Sequence, residues 1–146
     1  MSGMVIGVMG IALCLILCCA GSTVGLYYTG QAASGVLAED SKKFSKLLIL
    51  VMLPATCGIY GFVLAVLGIN SLSTDMTLSA GWTIFGAMMP LAVVAFLGGI
   101  FQGKCCVASI YAVAKNESLS GKLLLFPAMI ETYAILSLVV SILLLQ

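Results

Sequence analysis

Residues 123–145 read LLLFPAMIETYAILSLVVSILLL, an almost unbroken apolar run with one carboxylate, Glu131, near its centre. A run of this length is what a helix needs to cross the hydrocarbon of a bilayer. A carboxylate held at mid-bilayer depth costs roughly 3 kcal/mol on insertion scales, so Glu131 is a functional candidate whose partners must lie elsewhere in the chain.

The chain has 146 residues, of which 62% are hydrophobic and 8% charged, with a net charge of +1 and no histidine. Soluble domains carry about a quarter of their residues as charges, and the mean hydropathy of +1.26 is that of a membrane protein. The apolar length allows four crossings and leaves no room for a soluble domain. A near-neutral chain without histidine gives no basis for nucleic-acid binding, histidine catalysis or histidine metal ligation. The six cysteines (Cys14, Cys18, Cys19, Cys57, Cys105, Cys106) lie in apolar context without CxxC pairs and are read as small hydrophobes.

Span one is expected from about Met4 to Tyr28, continuing as helix to Ala38 because no proline interrupts it. A signal peptide wants a basic start and a shorter apolar core, so the run is read as a retained first span. Gly21, Gly25, Thr29 and Ala33 repeat every four residues, as do Gly3 and Gly7, which puts small side chains on one helical face. Two readings of that stripe stand side by side: ordinary helix packing, or the crowded inside of a ring of many copies. Glu39, Asp40, Lys42, Lys43 and Lys46 form the first polar loop, and Lys104, Lys115, Glu117 and Lys122 cluster around the third. All six basic residues then belong to one side, so loops one and three are expected in the cytoplasm, with both termini and the Asn70–Ser79 loop outside.

Span two, Leu47 to Ile69, carries Pro54, Thr56, Cys57 and Tyr60. Leu53, Thr56, Cys57 and Tyr60 share one face by helical spacing, and Pro54 cannot bond back one turn, so the stripe reads either as a small site lined by oxygens or as a kinked span whose hydroxyls bond back to the helix. Span three, about Trp82 to Ala114, contains Pro90, Gln102, Gly103 and Lys104.

Shifting the chain by half its 146 residues superposes Gly25 on Gly98, Lys42 on Lys115, Ser45 on Ser118, Pro54 on Pro127 and Tyr60 on Tyr133, with no gap needed. The sequence therefore reads as a duplicated antiparallel hairpin, 1–73 and 74–146, an all-α membrane protein of four transmembrane helices in a parallel repeat. Gly58 stands where the second copy has Glu131, so one half alone carries the acid. Gln102 and Glu131 are nearly equidistant from Asn116 and Glu117, where the third loop must turn. The Gln102 amide is thus expected to reach the acid, and Lys104, about 200° further round the helix, to point away.

The strings LPATCGIYG (53–61), QGK (102–104) and AMIETYA (128–134) resemble the proteolipid, the c or K subunit, of vacuolar-type rotary ATPases, and the bacterial sodium-translocating members most of all. The resemblance covers the whole chain. It implies a ring of copies of this chain in the cell membrane, turning against a stator subunit and coupled by a central-stalk subunit to ATP hydrolysis elsewhere. It implies that Glu131 carries the transported Na+ or H+, that Gln102, Thr56 and the Leu53 carbonyl coordinate the ion, and that Tyr60 holds the carboxylate closed. No permanently bound cofactor is implied, and no catalytic residue: the chain lacks a Walker A loop. Cys57 departs from the sodium-type pattern, which has Gln there, and a thiol is a poor ligand for a hard cation. The rival readings are a small four-span cation or drug antiporter, whose acid would lie in the first span, and a four-span scaffold, which would need large outer loops.

Overall fold

The computed structural model describes residues 2–146; Met1, the first residue of the 1–73 hairpin, lies outside the described residues. Helix α1 is one unbroken helix, Gly3–Glu39, within one residue at each end of the expected Met4–Ala38, because nothing before Asp40 interrupts its backbone hydrogen bonds. A single 3-10 turn, Ser41–Lys43, leads into α2 (Phe44–Met52) and α3 (Ala55–Asn70). Helix α4 (Leu78–Lys115) follows, then a second 3-10 turn, Glu117–Leu119, a short α5 (Ser120–Leu123) and α6 (Leu125–Leu145). Among the described residues there is no strand. Among the described residues, three helical stretches are long and apolar enough to cross a membrane, Gly3–Glu39, Leu78–Lys115 and Glu117–Leu145; a fourth crossing requires α2 and α3, bent by 41°, to act as one. Pro54 causes that bend, because it has no N–H to give to the carbonyl one turn back.

Helices α1 and α4 run side by side in the same direction, brought together by glycine. A Cβ at Gly21 would strike the Phe96 carbonyl, one at Gly25 the Gly99 carbonyl, and one at Gly103 the backbone of Gly25. Small residues let two backbones approach where lipid offers no competing hydrophobic force. Gly21 and Gly25 of the stripe thus meet a neighbour in the same chain, the contact that the packing reading calls for. Helix α3 packs mainly on α1, and α6 on α4, with α3 and α6 also touching.

Two apolar clusters fill the interior. One gathers Ile11, Cys14, Cys18, Leu64, Met88 and Leu91, the other Val36, Leu47, Leu50, Cys106, Ile110 and Val113. All six cysteines are free, and four of them, Cys14, Cys18, Cys57 and Cys106, are buried. Pro90 disturbs α4 within the first cluster, where the Leu91 N–H donates to Ser141 Oγ at 3.3 Å and Cys18 Sγ donates to the Leu91 carbonyl at 3.8 Å. Side chains of the neighbouring helices thus bond to the backbone of the residue that follows the proline.

The two polar turns are copies of each other. Asp40 (φ −147°, ψ 97°) and Asn116 (φ −145°, ψ 99°) each end a long helix, donating N–H to the carbonyls of Val36 and Ala112, both at 3.0 Å. Each side chain then accepts from the N–H two residues on, at 3.1 Å in both cases, the Asx turn that stops a helix. This correspondence, Asp40 to Asn116, is a shift of 76. The prolines and tyrosines correspond at 73, so the gapless repeat does not hold through the turns. The first hairpin has three more residues between turn and proline, about 4.5 Å of helix. Lys42 and Lys115 are not equivalent either, since Lys42 lies in the 3-10 turn and Lys115 ends α4.

Candidate functional site

The level between the two apolar clusters holds the polar groups. Gln102 lies 14 residues before Asn116 and Glu131 15 after it, so both sit about 20 Å from the turn. Gln102 is fully buried on α4, and its Nε2 donates to Glu131 Oε2 at 3.4 Å and to the Pro127 carbonyl at 3.3 Å. Tyr60, on α3, donates its hydroxyl to Glu131 Oε1 at 2.6 Å. Both carboxylate oxygens therefore accept from neutral donors, one on each flanking helix.

Cys57 is buried with its sulfur 3.9 Å from Gln102 Oε1, to which the thiol donates. It orients the amide, leaving the NH2 for the carboxylate. Thr56 and Leu53 face each other: the Thr56 hydroxyl donates to the Leu53 carbonyl at 2.8 Å, and the Thr56 N–H reaches the same oxygen at 3.2 Å. The structure thus brings Glu131, Tyr60, Gln102 and Cys57 into one connected group. Thr56 and Leu53 lie one residue or one turn away on the same broken helix, with no hydrogen bond to Glu131 among the described residues.

Lys104 does not join the group. Its Nζ lies 5.9 Å from the ring centroid of Tyr28 on α1, a cation–π contact. Twelve residues before Asn116, it sits about 18 Å up the helix. The expected cluster of charges around the third loop therefore lacks Lys104, which stands well inside α4. The other lysines gather at the turns, where Lys43 Nζ donates to the Ala114 carbonyl at 2.8 Å and Lys46 pairs with Glu117.

Two hydroxyls join the picture that the sequence alone did not single out for it. The Thr29 hydroxyl donates to the Val51 carbonyl at 3.0 Å, and the Ser109 hydroxyl donates to the Leu123 carbonyl at 3.3 Å. The signal for both was available. Thr29 and Val51 flank Asp40 by 11 residues each, and Ser109 and Leu123 flank Asn116 by seven each, the same equal-depth rule that pairs Gln102 with Glu131.

A family model for the C subunit of ATP synthase matches the chain twice, at residues 9–67 and 85–144. The chain is 42% identical over 142 residues to the V-type sodium ATPase subunit K of Enterococcus hirae, an alignment covering 97% of this chain and 91% of that one. It is 36% identical over 142 residues to the A-type ATP synthase subunit K of Methanocaldococcus jannaschii, covering 97% of this chain and 62% of the relative. The c' subunit of the V-type proton ATPase of Candida glabrata is 32% identical over 107 residues, covering 73% of this chain and 60% of the relative.

Proposed function

The chain belongs to the ATP synthase C-subunit family, and from that premise we propose that it is the ion-carrying proteolipid of the membrane rotor ring of a V-type rotary ATPase, with Glu131 as the group that loads and releases Na+. One observation carries the reading: a carboxylate about 20 Å from the turn accepts hydrogen bonds from Tyr60 and Gln102 and, among the described residues, forms no ion pair. An anion so placed is stable facing lipid only when a cation or a proton neutralises it. Loaded subunits then pass through lipid, and an emptied one is drawn to a basic group on a stator subunit. The ring turns only as fast as its sites exchange ions.

In this reading the two segments matched by the family model are two hairpins, 1–73 and 74–146, with α2 and α3 together forming the fourth crossing. Loops one and three face the cytoplasm and meet a central stalk, and ATP is hydrolysed on other subunits. The ligands for Na+ are Glu131, Gln102, Thr56 and the Leu53 carbonyl. Binding through Gln102 Oε1 requires the amide to turn over, so that its NH2 faces the Cys57 sulfur and its oxygen faces the ion. A hard cation favours an all-oxygen set, and the retained oxygens of Leu53 and Thr56 at the proline break support sodium. A second reading, proton transport, is favoured by the Cys57 thiol, which supplies no oxygen and holds the amide oxygen away from the carboxylate.

The deciding experiment follows the reaction of Glu131 with a carbodiimide in the purified ring. Millimolar Na+ is expected to slow that reaction at constant pH. If Na+ leaves it unchanged and transport is abolished by a protonophore, the ion is H+. If Glu131 can be replaced by Gln with transport retained, the carboxylate is not the carrier.

A further inference from the structure

The proposed ligands belong to three separate stretches: Leu53 and Thr56 to the break before α3 and its first turn, Gln102 to α4, and Glu131 to α6. Gln102 ties α4 to α6 directly, through the Pro127 carbonyl and the carboxylate. The break has its own tie, and it runs to α1. Thr29 is fully buried, and its hydroxyl oxygen lies 3.1 Å from the Leu26 carbonyl of its own helix and 3.0 Å from the Val51 carbonyl of α2. A helical threonine ordinarily bonds back to its own turn alone. Here the second acceptor is a carbonyl in the last turn before Pro54, in the stretch where the proline interrupts the backbone ladder.

A related contact, one residue further from the proline, occurs at the other break. Pro127 deprives the Leu123 carbonyl of its donor one turn on, and the Ser109 hydroxyl from α4 supplies one at 3.3 Å. Each broken helix is thus held by a hydroxyl from the long helix preceding it. At the first break the consequence reaches the site, because the Leu53 carbonyl and the Thr56 hydroxyl begin two residues after Val51. Helix α1 in turn is locked to α4, the helix of Gln102, through Gly25 and Gly99.

The geometry points to Thr29 as a positioning residue for the ion site: its hydroxyl fixes the last turn of α2 against α1 and so sets where the Leu53 carbonyl and Thr56 hydroxyl stand relative to Gln102 and Glu131. This rests on the proposal that those groups bind the ion. Losing the hydroxyl leaves the Val51 carbonyl without its donor and frees the break to rotate, so the site loses ion affinity without losing its carboxylate.

The test compares intact rings carrying Thr29→Val, which keeps the shape and removes the donor, and Thr29→Ser, which restores it. The Na+ concentration that half-protects Glu131 from carbodiimide is expected to rise about tenfold for Val, one hydrogen bond's worth, and to stay within about twofold of wild type for Ser. In the complete ATPase the Na+ dependence of hydrolysis should move by the same factor with the maximal rate unchanged. If Na+ does not protect the wild-type ring, the sodium reading fails on its own, and the effect of Thr29 is read from the pH of half-reaction, expected to fall by about one for Val, the same tenfold loss expressed for a proton. Wild-type ion dependence in the Val ring overturns the proposal, as does a lowered maximal rate with unmoved ion dependence. Failure of both variants to form rings makes Thr29 a residue of folding and overturns it too.

Discussion

Glu131 accepts from two neutral donors, and neither cancels its charge, so the carboxylate is oriented while its need for a cation remains. Glu131→Gln keeps the volume and removes the titratable charge; ring assembly should survive, while ion transport and coupled ATP hydrolysis fall to background in reconstituted vesicles. Tyr60→Phe removes the 2.6 Å bond without opening a cavity. Losing it frees the carboxylate to turn away from Gln102, so ion affinity measured by carbodiimide protection should fall, by about tenfold for one hydrogen bond's worth of positioning. Cys57→Gln exchanges a thiol for an oxygen beside Gln102 and should lower the Na+ concentration needed for protection. Unchanged protection in that variant would show that the ion does not approach position 57.

At the scale of elements, the close pairing of α1 with α4 constrains the whole chain. Gly25 is wedged between the Gly99 carbonyl and Pro54, so Gly25→Leu has no flexible neighbour to displace. Overpacking a core typically costs about 1–3 kcal/mol, and backbone contacts give less than side chains do. The expected outcome is loss of the folded subunit itself, read as protease sensitivity of the monomer in detergent. Gly30, further along the same helix, has open space where a Cβ would stand, with nothing within 4 Å, so Gly30→Leu should leave the subunit folded. Comparing the two separates packing within a subunit from packing between subunits. If Gly30→Leu monomers are intact and form no ring, this end of α1 faces a neighbouring copy.

For the whole molecule, the two polar turns lie at the same end, joined by the Lys46–Glu117 pair and by Lys43 on the end of α4. Both partners of the Lys46–Glu117 pair are more than two-fifths exposed, so solvent screens it. Glu117→Gln should therefore lower the thermal stability of the subunit by no more than about 1 kcal/mol. Topology has a direct check: Ser41→Cys and Asn116→Cys should label together, and from the cytoplasmic side, with a membrane-impermeant thiol reagent. Labelling of one without the other would contradict the shared end; labelling of both from outside would invert the orientation.

The sequence by itself determined the class of protein, the apolar stretches, the isolated acid and the nearness of Gln102 to it. Hydropathy and distance from a turn are one-dimensional quantities, and an antiparallel hairpin converts equal distance into equal depth. The tertiary structure alone decided what depends on how each helix is rotated and which helix lies beside it. The glycine stripe meets Gly99 and Gly103 of the same chain, Lys104 turns to Tyr28, and the Cys57 thiol orients the Gln102 amide. The three-residue difference between the hairpins was hidden because matching letters at a fixed shift takes no account of where a helix stops. That stop is set by the side chains of Asp40 and Asn116 folding back on the backbone, an interaction of two or three residues that leaves the prolines in register at 73 and the turns at 76.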